Sequence, residues 1–286
     1  QIANQQSNTG KDIVTHLEYD NLGRQTKDFL PYVGTNRNMA FESSAKNNTL
    51  AFYNTLQYDN TANPFTEKVL ESSPLSRVLK QAAPGSDWAM GQGHEIKLDY
   101  QTNGANEVKR YTATATWSVG SGLYTTALGN MAGTTFYAAN QLYKNVTYDE
   151  NTTATPSETS GSTVEFKNKE GQVVLKRTYD AGVKHDTYYV YDVYGNLTYV
   201  IPPKADMALT QAILDELCYQ YQYDNRNRLV AKKLPAKQWE FIVYDKLDRV
   251  VATGPAFSPF SDVIASGWLI TKYDAFNRVV YTGWLN

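Results

Sequence analysis

Five times this chain writes the same short phrase: YDNLGRQT from Tyr19, YDVYGNLT from Tyr191, YDNRNRLV from Tyr223, YDKLDRVV from Tyr244 and YDAFNRVV from Tyr273. No other feature limits the fold as tightly, because a repeated phrase demands a repeated local conformation. Three residues after Asp20, Asp192, Asp224, Asp245 and Asp274 stand Gly23, Gly195, Asn227, Asp248 and Asn277. Glycine, asparagine and aspartate enter the left-handed backbone region at least cost. Aspartate opening a type I turn, with a left-handed residue at the fourth position, describes a three-residue hairpin loop closed by a bulge. The aspartate carboxylate can also accept backbone N–H bonds inside such a turn.

The flanks then pair. Opposite each aspartate falls the residue after the left-handed one, which sets Asp20 against Arg24, Asp224 against Arg228, Asp245 against Arg249 and Asp274 against Arg278. Opposite charges facing across a hairpin contribute about 0.2–1 kcal/mol each. One step outward, Tyr223 meets Leu229, Tyr244 meets Val250 and Tyr273 meets Val279, a favoured aromatic–aliphatic combination.

Two worn copies follow the same pattern. SSPLSRVL has Ser73 as turn starter, then Pro74, a left-handed Ser76 and Arg77; NKEGQVVL has Asn168, Gly171 and Gln172. Seven hairpins are expected. Pro31, Pro84, Pro202, Pro235 and Pro255 are expected to end return strands, because proline cannot donate to a ladder. In CYQYQYD the tyrosines Tyr219, Tyr221 and Tyr223 alternate with Gln220, Gln222 and Asp224. In WEFIVYD and TYYVYD both faces are apolar or aromatic, so those strands are expected deeper in the sheet.

The predicted fold class is mainly β: tandem hairpins joined in one continuous curved sheet, with one short helical insertion. Residues 166–286 read as the tandem repeat sheet. Residues 1–165 read as an N-terminal β region with degenerate hairpins and an added β module between Ile96 and Thr147. The spacing of 32 between Asp192 and Asp224 exceeds the tightest spacing, 21. The extra residues look helical, since Leu209, Ala212, Ile213 and Leu217 recur at helical intervals with Asp206 as the N-cap. Asn38 to Thr49 reads as loop, and Asp149 to Thr163, polar and rich in Ser and Thr, as a mobile surface loop.

Composition excludes several function classes. With 20 % charged residues and a net charge of −2 the chain shows no footprint for nucleic acid and no polybasic membrane signal. Its single cysteine, Cys218, permits no internal disulfide framework and reads as a small buried apolar group. No apolar run reaches the roughly 18 residues of a membrane span. QIANQQSNTG lacks the blocks of a signal peptide, so any export signal is expected outside this stretch. Twenty-two tyrosines stand against ten phenylalanines, which suits half-buried sheet faces and binding surfaces alike.

No catalytic, cofactor or metal site is expected. His16, His94 and His185 lack metal-ligand spacing, and the repeated aspartates are better read as turn starters than as acid–base carboxylates. GQGH at Gly91 lacks the strand-and-helix setting of a phosphate loop. Trp88, Trp117, Trp239, Trp268 and Trp284 could stack on sugars, although packing within the sheet is the simpler role.

The phrase Tyr19-Asp20-x-x-Gly23-Arg24 and its copies resemble the YD repeats of Rhs proteins. SPLSRVLKQAAPGSDWAMGQGH (Ser73 to His94) and KHDTYYVYDVYGNLTYVIPP (Lys184 to Pro203) are similar to the N-terminal part of long Rhs-type proteins of Bacteroidota. The resemblance implies a β-strip coiled into a hollow shell that encloses or presents another part of the chain, in toxins a C-terminal effector released by self-cleavage. No Asp-Pro dipeptide, which the family's cleavage core contains, occurs here. The expectation is a non-enzymatic shell segment of a secreted or cell-surface bacterial protein, partnered by further repeats and a cargo domain of its own larger chain. The alternative is a carbohydrate- or cell-surface-binding β module.

Overall fold

The computed structural model describes residues 1–120, 122–207, 209–259 and 265–286. The chain is mainly β. Fifteen strands join in one sheet strictly in chain order, from Lys27–Phe29 to Val279–Leu285. Three short strands (Ile2–Ala3, Ile13–Val14 and Tyr32–Val33) form a small sheet, and Thr112–Ser118 pairs with Leu123–Gly129 as a separate hairpin. Two compact units are distinguishable: residues 1–101, 145–164 and 179–184, and residues 102–144, 165–178 and 185–286.

In the first unit Val14, Phe29, Tyr32, Val146 and Val164 supply buried apolar groups. Asp12 is fully buried, and its two carboxylate oxygens accept the N–H groups of Gln5 and Met39, each at 2.8 Å. The stretch read as loop after Asn38 contains a helix, Ala45–Tyr53. Its low amphipathicity hid it from periodicity. Tertiary bonds hold it instead: Tyr53 Oη donates to the Pro31 carbonyl at 2.5 Å, and Asn48 Nδ2 donates to Tyr32 Oη. The polar stretch from Asp149 folds into turns through the Asp149 N–H to Gly161 carbonyl bond at 2.9 Å. The next strand opens at Ser162, inside the stretch assigned to the loop.

In the second unit Val108, Leu142, Phe166, Leu175, Tyr188, Ile201 and Cys218 lie in the core. The insertion after Ile201 holds two helices, Pro203–Asp206 and Gln211–Leu217, where one was expected. Ala208, within the expected helix, lies outside the described residues, as does Ser121 in the added module. Asp206 is not the N-cap. Thr210 caps the second helix by accepting the Ile213 N–H, while the Asp206 carboxylate accepts Lys109 Nζ at 2.8 Å and Tyr111 Oη at 2.5 Å. The Gln220 face of its strand is the more buried one, because the Gln220 amide donates to the Leu214 carbonyl and to Asp215.

Two further expectations fail for local reasons. Pro255 does not end its strand, which runs Val250–Phe257, because the pairing with Ser266–Tyr273 skips from Thr253 to Ala256 and asks nothing of the missing N–H. The strand Trp239–Tyr244 is not deep: Phe241 and Val243 are 38 % and 44 % exposed. In Val183–Tyr191, by contrast, Tyr188 and Val190 are buried.

Candidate functional site: the seam of hairpin tips

Each repeat builds its tip in the same way. The N–H of Asp224 donates to the Arg228 carbonyl at 3.1 Å and the N–H of Asn227 to the Asp224 carbonyl at 3.0 Å, which closes a three-residue loop. One carboxylate oxygen of Asp224 accepts the N–H groups of Arg226 and Arg228, and the other accepts Arg228 Nε at 2.7 Å. The same set recurs at Asp20/Arg24, Asp245/Arg249 and Asp274/Arg278. At Asp192 the side-chain donor is Asn196, whereas at Asn168 the direction reverses and the Asn168 amide donates to Gln172 Oε1. Gly23, Gly195, Asn227, Asp248 and Asn277 have φ of +74°, +84°, +56°, +62° and +64°. Gly171 and Ser76 do the same in the worn copies. Ser73 carries no carboxylate, and Glu71 replaces it: its oxygens accept Arg77 Nε and Nη2 at 2.9 and 2.8 Å, which holds its carboxyl down at about 2.

Behind each tip the expected pairs Tyr223–Leu229, Tyr244–Val250 and Tyr273–Val279 are in register, as is Tyr191–Leu197. Immediately beyond each pair the register slips by one residue, leaving Thr198, Val230, Val251 and Val280 unpaired. The copy at Ser73 slips likewise at Leu79. A bulge of this kind bends and twists a strand.

The tips are also joined to one another. In the second unit Arg228 reaches forward to Asp248, and Arg249 to Asn277 at 2.9 Å, so the arginine of one hairpin bonds the left-handed residue of the next. Asn196 does this to Asn227 at 3.2 Å, and Gln172 to the Gly195 carbonyl at 3.2 Å. In the first unit Arg24 bonds Ser76. The forward-reaching guanidinium also covers the next tyrosine: Arg228 stands 4.6 Å over the Tyr244 ring and Arg249 4.8 Å over Tyr273. Arg77 covers Tyr100 at 4.4 Å in the same manner. In the second unit, cation–π contact and charge-assisted bonding thus run along one seam of tips.

The other candidate residues are separate from the seam. His16 contacts Glu18 and the edge of Phe29, His94 packs on Trp88, and burial pushes the Cys218 thiol up to about 12, which keeps it protonated. Trp117 packs edge-on against Tyr124, and Trp88 and Trp117 remain about two-fifths exposed. A buried ion network joins Arg177 to Asp186 at 2.7 Å and Lys144 to Glu107 at 2.8 Å. Among the described residues no group of three or more His, Cys, Asp or Glu is placed to hold a metal ion, and no helix is long and apolar enough to cross a membrane.

The fold is similar to that of several solved structures. A TcdB2–TccC3 chain without its hypervariable C-terminal region matches 95 % of this chain at 15 % identity with a TM-score of 0.54. A TcdB2–TccC3–Cdc42 structure matches all of it at 14 % identity and 0.55, and a Photorhabdus luminescens Tc holotoxin pore matches 96 % at 14 % and 0.53. By fold the chain is similar to these Tc toxin structures. It spans only about a tenth of the solved chains it matches, 10 % to 12 % of their length. Its residues 1–102 match a family described as a domain of unknown function, DUF6443. No curated protein matches it.

Proposed function

We propose that this chain is a non-enzymatic stretch of the wall of a larger, secreted or surface-displayed Rhs-type shell, which encloses or presents another part of the same polypeptide. Residues 166–286 serve as its tandem repeat sheet and 1–165 as the region leading into it. The observation that carries this reading is the run of hairpins added in chain order to one sheet, with tips bonded to the next by side chains of the phrase: Gln172 to Gly195, Asn196 to Asn227, Arg228 to Asp248 and Arg249 to Asn277. Repetition of one local contact suits a wall that extends hairpin by hairpin.

Electron microscopy of the whole gene product tests the reading. A hollow particle with these residues in its wall is the expected outcome; a solid particle or an extended string of separate modules would overturn it. A glycan array discriminates the competing reading: specific glycan binding lost in Trp88→Ala or Trp117→Ala, with folding intact, would favour a carbohydrate-binding module.

A further inference from the structure

One slot of the seam is emptied at both ends. Where Arg228 covers Tyr244 and reaches Asp248, and where Arg249 covers Tyr273 and reaches Asn277, a guanidinium fills the space between successive tips. At the equivalent place between the tips of Asn168 and Asp192, Gln172 stands for the arginine and Gly195 for the acceptor residue, and the tyrosine is Tyr191. The result is a cavity of about 470 Å³ lined by Gln172, Tyr191 and Gly195 together with Glu170, Asp192, Tyr189 and Tyr137.

The lining contains two carboxylates and no basic residue. Glu170 has no hydrogen bond or ion pair among the described residues, and Asp192, itself buried, meets only the N–H groups of Tyr194 and Asn196 and the neutral Asn196 amide. Every other aspartate of the repeat faces an arginine. Arg110 stands 5.9 Å over the Tyr137 ring but is not among the lining residues, and no cation covers Tyr189 or Tyr191 among the described residues. Aromatic faces beside uncompensated carboxylates attract cations, and a planar guanidinium suits both ring stacking and carboxylate bonding.

We propose that this pocket binds the guanidinium of an arginine side chain presented by another polypeptide segment, in place of the arginine that the repeat omits here. The proposal does not depend on the shell reading. A neutral polyol would gain little from Glu170 and Asp192 as charges without an ion-pair partner, whereas an arginine supplies the donors that the Arg228 and Arg249 slots contain.

The test is an NMR titration of this chain with N-acetyl-arginine amide and its neutral isostere N-acetyl-citrulline amide. Arginine amide should shift the Gly171, Gln172 and Gly195 amide signals saturably, and citrulline amide should not. Glu170→Gln should weaken binding by about tenfold. Gln172→Arg, which supplies the side chain of the Arg228 and Arg249 slots, should abolish binding while leaving the remaining spectrum in place. Equal binding of citrulline, retained binding in Gln172→Arg, or no shift at saturating arginine amide would each overturn the proposal. So would displacement by methyl glucoside, which would assign the pocket to a sugar.

Discussion

The Tyr244 hydroxyl donates to the carbonyl of Leu229 at 2.9 Å, and Leu229 is the cross-strand partner of the preceding hairpin's tyrosine, Tyr223. The relation repeats: Tyr223 donates to Leu197, Tyr273 to Val250 and Tyr191 to Val173, while Tyr100 donates to Val78 in the first unit. Each hairpin from Asp192 onward is therefore bonded to the one before it through a phenol. Phenylalanine would pack equally well, so the hydroxyl explains why the phrase is written with tyrosine. Tyr244→Phe should lower stability by about 0.5–1.5 kcal/mol, the usual net worth of such a bond. Urea denaturation checks it, and an unchanged midpoint would show the bond to be dispensable.

The left-handed position should tolerate only some residues. Asn277 has φ +64° and also accepts Arg249 Nη1 at 2.9 Å. Asn277→Val should cost about 1–3 kcal/mol, since a β-branched residue is strained there. Asn277→Gly keeps the backbone relaxed and loses only the exposed bond, so it should fall close to the parent in thermal melting. A valine variant that melts with the parent would contradict the strain assigned to this turn.

What the sequence disclosed follows from how local each cause is. Asp224, Asn227 and Arg228 settle their tip within five residues, so the turn and its register are legible without any tertiary knowledge. The bulges at Thr198, Val230, Val251 and Val280 are not, because these are ordinary strand formers and carry no sign of being unpaired. Glu71 escaped notice because it stands two residues before Ser73, outside the expected turn, and its longer side chain covers the gap. The helix Ala45–Tyr53 depends on Pro31 and Tyr32, which no periodicity within it reveals. The emptied slot at Gln172 was visible as a departure from arginine. Its meaning required knowing that the arginines reach forward to the next tip.

Acid should weaken the tips. The backbone N–H of Arg24 and then its guanidinium hold the Asp20 carboxyl below the ordinary range, and the backbone N–H of Arg278 leads in doing so for Asp274. Burial pushes Asp224 and Asp245 up, but bonds from Arg228 and Arg249 outweigh it and leave both lowered. A carboxyl with a lowered folded-state pKa contributes stability above its unfolded value, about 3.9, and loses it as pH falls through the folded value. The difference in urea midpoint between the parent and Asp245→Asn should therefore be constant at neutral pH and shrink below about pH 4. A difference independent of pH would mean that the Asp245 charge is not what the tip uses.

The buried pair Arg177–Asp186 should respond differently to the loss of one member and of both. Both side chains are about 95 % buried, and the guanidinium forms two bonds to the carboxylate, at 2.7 and 2.9 Å. Arg177 also bonds the Glu107 carbonyl and lies over the Phe166 ring at 5.5 Å, so its position is fixed from several sides. Removing Asp186 alone leaves a desolvated cation with less compensation, and Asp186→Ala should cost about 3–5 kcal/mol. Replacing both, as Arg177→Met with Asp186→Leu, removes the charge problem and fills the space with apolar groups, so the double variant should be more stable than Asp186→Ala. Urea midpoints of the three proteins decide it. If the double variant is the least stable, the pair supplies net stability through its bonds, and the desolvation argument fails at this site.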